Sequence, residues 1–146
     1  MSRLLKIPEA VSLALHAMAL LARHPGERLT TAAIAADLGA SAAHLAKVLK
    51  ILEHQGYVHA LRGPAGGFQI AAEADEITLM EIYTALEGPL DTGGCLLSTP
   101  ICGGKKMCLF GATLRRLENE FRTELETTTL ASLARTLGVR HAEKHH

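Results

Sequence analysis

The sequence has no charge-free apolar run of about 18 residues or more, the length a membrane-crossing helix requires. Its most apolar stretch, residues 10–22, is interrupted by Ser12 and His16 and flanked by Glu9 and Arg23, which suits a buried helix and not a bilayer span. The start, Met1-Ser2-Arg3-Leu4-Leu5-Lys6, lacks the succession of basic region, apolar core and small-residue cleavage site of a secretory signal, so the cytoplasm is the expected compartment. Net charge is also missing, because 15 Lys and Arg balance 15 Asp and Glu. A zero balance speaks against binding nucleic acid by bulk charge alone, since phosphate neutralisation supplies much of that affinity. Cysteine is scarce: three residues, an odd number, do not suggest a structural disulfide framework in a cytoplasmic chain. None of the eight histidines forms a recognisable catalytic constellation with those cysteines, so neither enzymatic activity nor a small-molecule substrate is expected. Internal repeats and low-complexity tracts are absent.

What is present is a chain of 146 residues, 48% hydrophobic, enough for one compact core with or without a dimerising appendage. Its neutral total hides an asymmetry. Residues 1–70 hold seven Lys or Arg against four acids, a net of +3, and residues 71–146 hold eight against eleven, a net of −3. A weakly basic reading head joined to an acidic body has this distribution.

The segment 10–22 is apolar nearly all round, as a helix within a core or between subunits would be. After the breaker His24-Pro25-Gly26, the capping pair Thr30-Thr31 opens a short helix that Gly39 stops. Ser41 can cap a second helix, where Leu45, Val48, Leu49 and Leu52 recur at three- and four-residue spacing and leave His44, Lys47 and Lys50 on other faces. Two short helices around Gly39-Ala40, the second amphipathic, have the form of a helix-turn-helix. Residues 57–61 and 68–70 read as short strands on either side of Arg62-Gly63-Pro64-Ala65-Gly66-Gly67, a glycine-rich hairpin presenting one arginine, as a wing would. Another helix is expected over 76–86, closed by Glu87-Gly88-Pro89. From 109 to 130, Leu114, Leu117, Phe121 and Leu125 form an apolar stripe with a charged back, which predicts one long helix that pairs with a second copy.

Base edges in a major groove are read by groups near the amino end of the inserted helix. Ser41 and His44 hold that place. Ser41 serves as a cap, alone or together with a DNA contact, and His44, flanked by Ala42, Ala43 and Leu45, faces solvent or reads a base. Lys47 and Lys50 suit phosphates, though charges on an amphipathic helix also serve as a solvated face. Arg62, followed by Gly63 at the hairpin tip, has little core to pack on and a fork of donors for a groove or phosphate.

Residues 88–108 are rich in glycine, contain Pro89 and Pro100, and hold all three cysteines: Cys95, Cys102 and Cys108, separated by six and five residues. This spacing is too loose for the paired ligands of structural zinc. Two readings stay open on spacing alone: thiolates wrapping an iron-sulfur cluster, and free or redox-active thiols.

Leu13-Ala14-Leu15-His16-Ala17-Met18, the stretch 29–52, Arg62-Gly63-Pro64-Ala65-Gly66-Gly67-Phe68, Glu76-Ile77-Thr78-Leu79, Ala85-Leu86-Glu87-Gly88-Pro89 and the spaced cysteines together resemble the winged-helix repressor family of IscR and NsrR, over about residues 3–130. The resemblance implies a mainly α fold with a small β-hairpin wing and a long dimerisation helix. It divides the chain into a DNA-binding domain (1–87), a cluster loop (88–108), and a dimerisation helix with tail (109–146). It further implies a homodimeric repressor on a palindromic operator of double-stranded DNA. In such a protein Cys95, Cys102 and Cys108 would hold a 2Fe-2S or 4Fe-4S cluster that senses iron, oxygen, nitric oxide or redox state. A cluster-free regulator controlled by thiol oxidation or a protein partner is the alternative. Where IscR-like members place a histidine ligand this chain has Gly111, and where NsrR-like members place an acid from the partner subunit it has Ser12. Glu9, one helical turn earlier, is therefore the expected oxygen ligand from the partner subunit. A first-turn acid favoured by the helix dipole accounts for Glu9 equally well.

Overall fold

The computed structural model describes residues 7–64, 66–90, 101 and 110–137. Six helices and one hairpin follow in the order α1 (Glu9–Arg23), α2 (Thr31–Leu38), α3 (Ala42–His54), β1 (Val58–Leu61), β2 (Gly67–Ile70), α4 (Leu79–Glu87), α5 (Gly111–Thr127) and α6 (Leu130–Thr136).

α1 is the central pillar. Alanine and leucine dominate it and neither glycine nor proline interrupts it, so helix propensity and burial agree. Ala14, Ala17, Met18, Ala19 and Leu21 are wholly inaccessible, and α3, α4 and α6 pack around them. The small alanines let the neighbouring helices approach, while each buried Leu or Met contributes about 1.5–3 kcal/mol of transfer free energy. Glu9 in the first turn and Arg23 in the last complement the helix dipole.

α2 and α3 form the helix-turn-helix. Thr30 Oγ1 accepts from Ala33 N–H at 3.1 Å to start α2, and Gly39, at φ 63°, ends it in the left-handed conformation that a side chain would strain. The chain then bends by 117° into α3. Leu45, Val48, Leu49 and Leu52 turn inward and are fully buried, the spacing that the sequence predicts.

The hairpin is antiparallel, with Val58 opposite Ile70 and Leu61 opposite Gly67. Leu29 adds a short bridge to it, donating to Phe68 O at 2.9 Å and accepting from Phe68 N–H at 2.8 Å, so the wing is fastened to the segment entering α2.

Two expectations are corrected. The helix expected from Glu76 begins at Leu79, because Thr78 and Glu81 close a capping box: Thr78 N–H donates to Glu81 Oε2 at 2.7 Å and Glu81 N–H to Thr78 Oγ1 at 3.2 Å. The long helix expected over 109–130 is α5, shorter at both ends, and a further helix, α6, follows it. α5 stops at Thr127, Thr128 is extended, and Thr129 caps α6 by accepting from Ser132 N–H at 3.2 Å. α6 returns to the core: Leu130 is fully buried, its N–H donates to Ile77 O at 2.8 Å, and Arg23 donates to Ala134 O at 3.3 Å.

Candidate nucleic-acid interface

The helical period divides α3 into two faces. While the leucine row holds the core, Ala42, Ala43, Ala46, Lys47 and Lys50 are exposed, so the outer face is open and carries two cations. Ser41 does cap the helix, its Oγ accepting from His44 N–H at 3.3 Å. A hydroxyl that accepts from the backbone keeps its own proton to donate, and Ser41 is exposed. His44 is half-buried, and its Nδ1 lies 3.7 Å from Glu9 Oε1. Further along, Lys47, Lys50, Ile51, His54 and Gln55 line a shallow open groove on the same face. Ile51, 40% exposed, is an apolar contact on the outer face that the heptad-like pattern conceals, because it directly precedes buried Leu52 and reads as core.

Beyond α3 the wing projects Arg62, which is exposed. Its turn is closed by Gly66 N–H donating to Gly63 O at 2.8 Å. A Cβ at Gly66 would lie 2.7 Å from Leu61 O and 2.9 Å from Gly63 O, so the turn that presents Arg62 admits only glycine there without shifting backbone. At the root of the wing, partial burial and then the neighbouring Glu81 carboxylate raise the Tyr57 phenol above its usual range. Both disfavour the phenolate.

The other candidate centre is placed only in part. Cys95, Cys102 and Cys108 lie outside the described residues. The chain leaves toward them at Leu90, whose carbonyl accepts from Arg122 of α5 at 3.1 Å, and returns at Phe110, whose carbonyl accepts from Leu114 N–H at 2.8 Å. Both ends of the cysteine-bearing segment are thus tied to α5. Glu9 opens α1 with its side chain 76% exposed. Among the described residues, no three His, Cys, Asp or Glu gather as a metal site, and no single helix is long and apolar enough to cross a membrane.

α5 presents two unlike faces. Leu125 is buried and Phe121 meets Tyr83 of α4 edge to face at 6.5 Å, whereas Leu117 is 43% and Phe110 62% exposed. The expected stripe of Leu114, Leu117, Phe121 and Leu125 is therefore shared between the chain's own core and the surface. On the inner side, Glu118 Oε2 is buried without a hydrogen-bond partner among the described residues.

A family model described as Rrf2, iron-dependent transcriptional regulator, matches residues 7–136. Among solved structures, CymR (YrzC), the global cysteine regulator of B. subtilis, superposes with a TM-score of 0.73 at 28% identity, over 90% of this chain and 98% of that one. The oxidized form of CymR from Staphylococcus aureus gives 0.69 at 27% identity, over 89% and 96%. IscR from T. potens gives 0.70 at 24% identity, over 91% and 88%, a likeness of fold.

Proposed function

We infer that this chain, which belongs to the Rrf2 family of transcriptional regulators, is a homodimeric repressor that reads a palindromic operator and senses iron or redox state through its three cysteines. The observation that supports DNA reading is the outer face of α3. Its inner row is sealed in the core, while Ser41, His44, Lys47 and Lys50 stand outward beside a wing whose exposed tip carries Arg62 and Gly63. Lys47 and Lys50 supply phosphate contacts that position the helix, and Ser41, His44 and Arg62 supply the donors and acceptors that read bases. Segment 109–146 serves dimerisation through the exposed side of α5.

The donor chemistry suits an iron-sulfur cluster: three thiols in one glycine-rich segment, both of its ends held on α5, and an exposed carboxylate on α1. Cys95, Cys102 and Cys108 would hold the group, with Glu9 of the partner subunit as oxygen donor. When bound, such a group supplies one-electron redox chemistry and sensitivity to oxygen or nitric oxide. This chain's own part is mechanical. Arg122 ties Leu90 to α5, and α4 lies between α5 and α3, so a rearrangement of residues 88–108 reaches the reading helix through packed elements.

A second reading has its own support. CymR of B. subtilis, named a cysteine regulator, is similar at 28% identity, and CymR of Staphylococcus aureus, similar at 27%, has an oxidized form, which supports the reading of control by thiol oxidation. Purification without oxygen separates the two readings. The cluster reading expects a brown protein with near-stoichiometric iron and sulfide that bleaches in Cys102→Ala. A protein that stays colourless after reconstitution, and whose DNA affinity changes on thiol oxidation, would establish the alternative.

A further inference from the structure

The first turns of α1 and α3 meet at one point on the surface. Glu9 opens α1, His44 is the third residue of α3, and their side chains approach to 3.7 Å between Glu9 Oε1 and His44 Nδ1 although they are far apart in sequence. The backbone of His44 is fixed twice over: the Ser41 cap holds its N–H, and buried Leu45 and Val48 set the roll of α3. Only the ring's own torsions remain free, and Glu9 stands on one side of it.

We propose that Glu9 is a positioning residue for base reading: its carboxylate draws the Nδ1 edge of His44 toward α1, so that Nε2 is the atom presented to the major groove. At 3.7 Å the attraction steers the ring electrostatically and is not a hydrogen bond. In a major groove a ring nitrogen held in that orientation meets base edges, so the steering bears on which base is preferred at one position. The pair lies at the surface, with the Glu9 side chain 76% exposed, and adds little to stability, so its effect belongs in specificity. The inference rests on α3 being the reading helix and does not need the cluster. A carboxylate engaged as a ligand could not steer His44 as well, so the test uses cluster-free protein.

Duplexes selected from a randomised library by the cluster-free wild-type protein provide the probe. Binding isotherms on the selected duplex and its single-base variants are then measured for Glu9→Gln, His44→Ala and the double variant. His44→Ala is expected to relax discrimination at one base of each half-site. Glu9→Gln is expected to relax the same base by roughly two- to fivefold, the range of an exposed ion pair. The double variant should relax it no further than His44→Ala alone, and the melting temperature of Glu9→Gln should equal that of wild type. Full discrimination retained by Glu9→Gln, or effects that simply multiply in the double variant, would overturn the positioning role while leaving DNA reading intact. If His44→Ala changed no base preference, the assignment of His44 as a reader would fall instead, and with it this inference.

Discussion

Arg62 sits where the chain has no core to offer it, on a turn that only glycine at 66 can close. In our proposal its guanidinium finds partners in a groove or at a phosphate. Arg62→Ala should therefore weaken operator binding by about 1–3 kcal/mol if the contact is bidentate to a base, as read from isotherms on the selected duplex. An unchanged isotherm would remove the wing from the interface. Tyr57 makes a prediction about pH. Its folded pKa lies above the unfolded value, so the folded state holds the phenolic proton more tightly. The resulting stability is complete below the unfolded pKa and is lost as pH rises through the folded one. Melting temperatures above about pH 10 should consequently fall less steeply for Tyr57→Phe than for wild type.

At the scale of elements, local chemistry decided most of the boundaries. Thr30, Gly39 and Ser41 punctuate the helix-turn-helix with side-chain caps and a left-handed glycine, each a signal carried by a single residue type, and these were legible in the sequence. Two other boundaries were not. Thr78 and Glu81 spell a capping box, but Glu76 and Ile77 upstream continue a plausible helical pattern; the structure instead puts Glu76 in a turn, its N–H donating to Glu73 O, and engages Ile77 O with Leu130 N–H, a tertiary bond. In Thr127-Thr128-Thr129 three successive threonines concealed which one turns the chain; Thr78 bridging Thr129 settles it. The Glu9–His44 approach was illegible for the same reason, because it depends on how α1 crosses α3. Thr78→Ala should remove the half of the box in which Thr78 Oγ1 accepts from Glu81 N–H, leave the backbone N–H of residue 78 on the Glu81 carboxylate, and cost about 1 kcal/mol in a chemical denaturation series. Because the same threonine joins α4 to the start of α6, a loss well below that would mean that the bridge, and not the cap, sets this boundary.

At the scale of the whole molecule, the described residues build a core around α1 and, among them, the outer face of α3 with the wing and the Phe110 and Leu117 side of α5 stand exposed. The first faces DNA in our account and the second faces another copy. Leu117→Glu should weaken self-association by roughly tenfold or more in sedimentation equilibrium, consistent with loss of an apolar anchor, with unchanged helical content. A variant that sediments like wild type would place the dimer contact elsewhere. The sequence carried this architecture well in α1 and α3, where the apolar positions match one buried face. It carried the α5 stripe poorly, since one stripe serves both the core, through Phe121 and Leu125, and the surface, through Leu117.

The most direct test of the account is a footprint of the protein on the duplex it selects from a randomised library, with wild type and Lys47→Ala/Lys50→Ala compared across a salt series. The account predicts two symmetry-related half-sites about one helical turn apart, roughly 34–36 Å, and a salt dependence that becomes shallower in the double variant. Failure to select any sequence, or a footprint whose affinity and salt slope are indifferent to Lys47 and Lys50, would contradict it.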